Sequence, residues 1–339
     1  MSCARADGPA SRQRQRRAAA PAATLSILEI LDERLLGLID EHVACEQLAD
    51  GLLSSEGPIW VEAGGYLLFS DIQHDRRCRW DERNGLQVIA EPTNKGNGMT
   101  LDAAGRLIVC EHVTSSLVRM SPDGTGAGRE VLASHYQGQE LNSPNDVIVA
   151  SDGSIYFTDP PGGRTAKWGS EREQELDFMG VFRYPPGGGE LELVGAFAFP
   201  NGLCLAPDES ILYVNETAER RIIACDLARD GTISNRRVFA AGIEPAELGT
   251  VDGMRCDEHG NVWVTAPHAI WIYTPRGERL GGIAVPDRPL NFHWGGPGWQ
   301  WLFVTGTTGL YRFETIARPN QEPFMRRKRR SVPTRRARI

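Results

Sequence analysis

Apolar residues along this chain come in short paired runs around a turn, as in NDVIVASDGSIYFTDP from Asn145, and a polar residue heads each pair. Runs this short, rich in Val, Ile, Phe and Tyr and bounded by Gly, Asp and Asn, predict strands joined as β-hairpins rather than helices. The same grammar recurs in EGPIWVEAGGYLLFSDI from Glu56, NGMTLDAAGRLIVCEH from Asn97, NGLCLAPDESILYVNET from Asn201 and DGMRCDEHGNVWVTAP from Asp252. A degenerate copy, NFHWGGPGWQWLFVTGT, begins at Asn291. Successive starts lie 41, 48, 56, 51 and 39 residues apart, the length of a four-stranded antiparallel unit with its turns. Six such units predict an all-β fold, a six-bladed β-propeller.

A propeller must close, because open first and last blades would expose strand edges. The sixth repeat supplies three strands and ends at GLYRFE, so the fourth is expected from VACEQLADG near the N-terminus. This reading gives one domain over residues 25 to 318. Residues 1 to 24 and 319 to 339 are expected to be disordered basic extensions.

Charge sharpens that division. The net formal charge is −7, but the two ends carry +4 and +7, which leaves about −18 on residues 25 to 318. The C-terminal RRKRRSVPTRRARI has the composition of a contact for nucleic acid or anionic lipid, yet a solvated tail explains it as well, and no nucleic-acid partner is assigned. No apolar run approaches the roughly 20 residues that span a bilayer. The seven cysteines are odd in number and scattered without a C-x-x-C pair, which fits reduced thiols in a cytoplasmic protein better than a disulfide framework. Oligomeric state is left open.

The innermost strand of a propeller blade runs along the central channel, so the polar residue opening each repeat projects toward the axis. Glu56, Asn97, Asn145, Asn201, Asp252 and Asn291 therefore converge on one mouth of the channel. Asn-Gly and Asp-Gly pairs also make good turns. Two carboxylates and several carboxamides on one axis, however, are costly to bury unless something binds them. These are hard oxygen donors without Cys or His, which favours a divalent cation such as calcium, magnesium or manganese over a structural zinc.

Through EGPIW, NSPNDV, YFTDP, PNGL, VDGM and FHWGG the chain resembles the senescence-marker-protein, gluconolactonase and luciferin-regenerating-enzyme-like family, bacterial gluconolactonases above all. That resemblance implies a six-bladed propeller that hydrolyses lactones with one divalent ion. It implies Glu56, Asn201 and Asp252 as metal ligands, with Asn145 on metal or substrate. Two positions depart from relatives. Animal members carry an arginine two places before the asparagine of this motif, where this chain has Ser143. Relatives with a second calcium use an aspartate where this chain has Arg255.

The hairpin after Asn145 returns to the same mouth at FTDP, so Asp159 is expected to overlook the cation, and Asp252 or Asp159 to act as general base on water. The remaining candidates for substrate binding are Asn97, Glu111, His112, Arg164, Trp168 and His293, with the loop GRTAKWGSEREQELDFMG as a lid. The expected reaction is hydrolysis of a small sugar lactone to its hydroxy acid. An organophosphate or aryl-ester hydrolase on the same metal, and a non-catalytic binding scaffold, are the alternatives. No G-x-S-x-G elbow supports a serine hydrolase.

Overall fold

The computed structural model describes residues 27 to 244 and 251 to 326. The expected N-terminal extension, and the expected C-terminal tail from 327 onward, lie outside the described residues. Six antiparallel sheets form a ring of blades, each running from an inner strand to an outer one. The inner strands are Ser55–Val61, Gly96–Leu101, Val147–Val149, Pro200–Leu205, Met254–Cys256 and Pro289–Gly295.

Inner strands are buried at every position, whereas an outer strand such as Gly85–Ala90 keeps an exposed side. Both faces of an inner strand meet a neighbouring blade, and side chains at successive positions point to opposite faces, so both sets must be apolar or satisfied. The core accordingly lies between blades. Trp263 and Trp294, both essentially inaccessible, meet edge to face at 5.1 Å between the fifth and sixth blades.

Closure follows the sequence expectation. Glu46–Ala49 pairs antiparallel with Leu310–Glu314, with Gln47 opposite Tyr311, and completes the sixth blade. An element not expected from the sequence, Leu28–Ile30, adds a fifth strand to the fifth blade through Leu28 opposite Ile283.

The polar-glycine pairs have a steric cause. In four inner strands the pairing register shifts at the opening residues, between Glu56 and Ile59, Gly96 and Met99, Pro200 and Leu203, and Pro289 and Asn291. Such bulges bend the strand and re-aim a side chain. At the bulge the backbones crowd the axis: a Cβ on Gly57 would overlap the Asn97 carbonyl oxygen, and one on Gly202 the carbonyl oxygen of Asp252. Glycine after the polar residue is what lets the ring tighten.

The domain does not stop at 318. Pro319 bridges to Asp257, the Asn320 amide donates to the Cys256 carbonyl, and Phe324 is buried against Ile59, Met99 and Leu101. The expected boundary is therefore too short by the strap from 319 to 326, which crosses the channel mouth opposite the bulges. Three features anchor it: an apolar Phe324, a hydrogen bond from Thr100 Oγ1 to Glu322 at 3.1 Å, and a hydrogen bond between His293 Nε2 and Glu322 Oε1 at 3.1 Å. No helix among the described residues is long and apolar enough to cross a membrane.

Candidate active site

At the bulged mouth of the channel lies a cavity of about 150 Å³. Glu56, Asn97, Asn145, Asn201 and Asp252 line its floor from five different blades, as the repeat pattern predicts. Asn291 joins indirectly, donating from Nδ2 to Glu56 Oε2 at 2.9 Å.

Glu56 is buried, and its Oε2 also accepts from the Gly57 amide at 3.0 Å. Burial pushes its carboxyl up to about 7, against the Asn291 hydrogen bond that favours the anion. Burial, and then the Glu56 charge, hold the Asp252 carboxyl well above the usual carboxylate range. Two carboxylates so placed repel each other, which is the electrostatic condition that a cation relieves.

Two oxygens report on what the cavity is built to take. Asn97 Oδ1 and Asn201 Oδ1 are buried with no hydrogen-bond partner among the described residues. An orphaned buried acceptor is costly, and a hard cation or a substrate hydroxyl removes that cost. The described residues hold no group of three His, Cys, Asp or Glu side chains suited to a metal. The oxygen set here instead combines two carboxylates with amides, a chemistry that fits calcium or magnesium.

The Asn97 oxygen is held in place by a relay. Asn97 Nδ2 donates to His112 Nε2 at 3.1 Å, and His112 Nδ1 donates to the Trp168 carbonyl at 2.8 Å. This arrangement needs a neutral imidazole with its proton on Nδ1. Burial holds the His112 pKa down to about 4, and the nearby charges of Arg172 and Lys95 act in the same direction. Trp168 lines the cavity, and its loop is pinned by Arg172 Nη2 donating to the His112 carbonyl at 2.8 Å and to Ser115 Oγ.

Four expected site residues stand elsewhere. Asp159 is wholly buried but turned back into its blade, where Oδ2 accepts from the Asn142 amide and Oδ1 from the Ser143 amide, both at 2.8 Å. Burial raises its carboxyl to about 7 in spite of these donors. Its place at the strand end is as expected, but its oxygens serve the turn that leads to Asn145 rather than the cavity. Glu111 is consumed by Arg129, Asn94 and Thr114. Arg164 donates to the carbonyls of Leu141, Asn142 and Glu173 and pairs with Glu140, so it fastens the loop rather than facing a ligand. His293 lies at the opposite mouth with Glu322.

Five lining residues escaped the sequence reading: Ile72, Gly162, Phe199, Arg288 and Leu290. Arg288 lies three positions before Asn291, just ahead of the repeat as delimited, and its charge pulls the Asp252 pKa down. Phe199 lines the cavity with φ of 57°, a left-handed conformation that costs a bulky residue about 1–3 kcal/mol and that the surrounding fold must support. The run FAFP before Asn201 was the available signal. Beneath the floor Asp146 accepts from the Val147 amide and faces Arg255 at 3.4 Å.

A closed six-bladed propeller whose inner-strand openings line one axial, oxygen-rich cavity is the class that fold and site define. The chain belongs to the SMP-30/gluconolactonase/LRE-like family, whose region matches residues 54–308. It is similar to the gluconolactonase of Zymomonas mobilis, 33% identical over 86% of this chain and 87% of that protein. A solved gluconolactonase of Xanthomonas campestris superposes with a TM-score of 0.79 at 34% identity, covering 90% of this chain and all of that one. A pentonolactonase of Haloferax volcanii is 25% identical over 75% of this chain and 81% of its own length.

Proposed function

We propose that this protein hydrolyses a small, neutral sugar lactone to the hydroxy acid. The observation that carries the proposal is the convergence of Glu56, Asn145, Asn201 and Asp252 in one axial cavity, with an oxygen on Asn201 that has no partner among the described residues, in a chain similar to gluconolactonases and a pentonolactonase.

Glu56, Asn145, Asn201 and Asp252 would hold one divalent cation, calcium first among the candidates. When bound it supplies Lewis acidity toward an ester carbonyl and offsets the charge of the two carboxylates. The chain's own groups do the rest. Asp252, as the carboxylate, accepts the proton of the attacking water. The acyl carbon–oxygen bond of the ring breaks, and the ring oxygen leaves as a hydroxyl, taking the proton that Asp252 accepted from the water. Arg288 donates hydrogen bonds to the substrate and steadies the product carboxylate, a charge-assisted contact. Asn97 Oδ1, set by His112, accepts from a substrate hydroxyl. Trp168 and Phe199 wall the ring and exclude bulk water.

The proposal is tested by proton release from a panel of five- and six-membered sugar lactones, aryl esters and organophosphates. Sugar lactones should be the preferred class. A preference for aryl ester or organophosphate would overturn the substrate assignment, and no turnover of any member would overturn the hydrolase.

A further inference from the structure

The opposite mouth of the channel carries a feature that the proposed hydrolysis does not use. Cys204 and Cys256, 52 residues apart in sequence, stand on the inner strands of the fourth and fifth blades with their Sγ atoms 3.6 Å apart. Both are buried, at 3% and 4% exposure, and both line a small cavity of about 40 Å³ that also holds Arg255 and His293 and is roofed by the strap around Glu322. A disulfide needs about 2.05 Å between sulfurs, so a closure of about 1.5 Å would join them. Cavities of this size admit one or two small polar molecules.

The geometry points to Cys204 and Cys256 as an oxidisable dithiol that takes a peroxide or small disulfide through the strap-side cavity and forms a disulfide between the fourth and fifth blades. With hydrogen peroxide, the Cys204 sulfur attacks one oxygen. The O–O bond breaks, one water leaves, and Cys204 becomes a sulfenic acid. The Cys256 sulfur then attacks the Cys204 sulfur, the S–O bond breaks, a second water leaves and the S–S bond forms. Two thiols lose two electrons and two protons, and the peroxide is reduced to two waters.

Contact with Cys204, and then burial, hold the Cys256 thiol well above its usual range. Either sulfur can be the donor in this contact, and the same balance holds with the roles of Cys204 and Cys256 exchanged. Asn201 and Asp252 stand three and four positions upstream on the same two segments. Drawing the sulfurs together shifts the floor of the other mouth. That catalytic consequence rests on the lactonase reading, whereas the cross-link itself does not.

The full-length protein would be treated with hydrogen peroxide or diamide under native conditions, alkylated, digested and mapped by mass spectrometry. The expected product is one linked peptide pair containing Cys204 and Cys256, with Cys78, Cys110 and Cys225 still alkylated. The link should be absent from Cys204→Ser and Cys256→Ser and reversed by dithiothreitol, and circular dichroism of the oxidised protein should match that of the reduced one. Both thiols remaining free while others oxidise would overturn the proposal, as would a link formed only in urea. If the linked protein also loses at least half its lactone turnover and regains it on reduction, the coupling to the floor holds. A mapped link with unchanged turnover would refute that coupling while leaving the cross-link standing.

Discussion

His112 shows how one buried side chain can set the chemistry of another. Its neutral ring accepts from Asn97 and donates to Trp168, so protonation would break the relay from the Asn97 side. The folded pKa of about 4 lies below an unfolded value near 6.5. The stabilisation from keeping it neutral is therefore complete above about pH 6.5 and lost as pH falls through about 4. The shift corresponds to about 3 kcal/mol. Urea unfolding at pH 7 and pH 4 should show the wild type losing more stability than His112→Gln by an amount of that order. Equal losses in the two proteins would contradict the relay. Asp159 should behave as a brace. Asp159→Asn is expected to lose one of two backbone acceptors, at a cost of about 1–3 kcal/mol, while keeping metal affinity in a calorimetric titration. Loss of the metal in that variant would return Asp159 to the cavity. The two arginines should also separate. Arg288→Ala should raise KM about tenfold or more, the equivalent of one charged hydrogen bond, whereas Arg164→Ala should lower the melting temperature and leave KM near wild type. Steady-state kinetics beside a thermal melt distinguishes them. Sequence alone expected Arg164 and both aspartates at this mouth, and it did not single out Arg288. It did not show that Arg164 and Asp159 are spent on backbone groups, because hydrogen-bond partners depend on side-chain direction.

The paired strands were legible because their period-two pattern and turn residues repeat, and the closing strand was legible because the sixth repeat lacked one. The bulges were implied by glycine after the polar residue, and they explain why the openings of Glu56, Asn97 and Asn201 point at the axis. The strap from 319 to 326 was not legible. It has no periodicity and joins a run of arginines, so its composition reads as solvated. What holds it is one aromatic and one carboxylate: Phe324 stacks near His293 with 6.4 Å between ring centres, and Glu322 takes hydrogen bonds from Thr100 and His293. Phe324→Ala is expected to cost about 3 kcal/mol through the cavity it leaves. Ending the chain after 318 should destabilise at least as much, and ending it after Arg326 should not. Chemical denaturation of the three proteins checks this order. Unchanged stability on truncation after 318 would show the strap to be dispensable.

At the scale of the whole ring, an acidic body surrounds a cavity whose floor is itself acidic. Such a field disfavours anionic substrates and favours release of a carboxylate product. It also concentrates cations at the one place where Glu56, Asn145, Asn201 and Asp252 offer oxygens without enough hydrogen-bond donors to satisfy them. The claim that joins fold to function is that lactone hydrolysis depends on a divalent cation held by this floor. The most direct test is proton release from a neutral sugar lactone by chelator-treated protein, before and after adding back calcium, magnesium, manganese or zinc, with Glu56→Gln and Asp252→Asn run alongside. The account predicts negligible turnover without a cation, recovery in the wild type on addition of one of them, and no recovery in either variant. Wild-type rates in chelator, or full recovery by both variants, would contradict it.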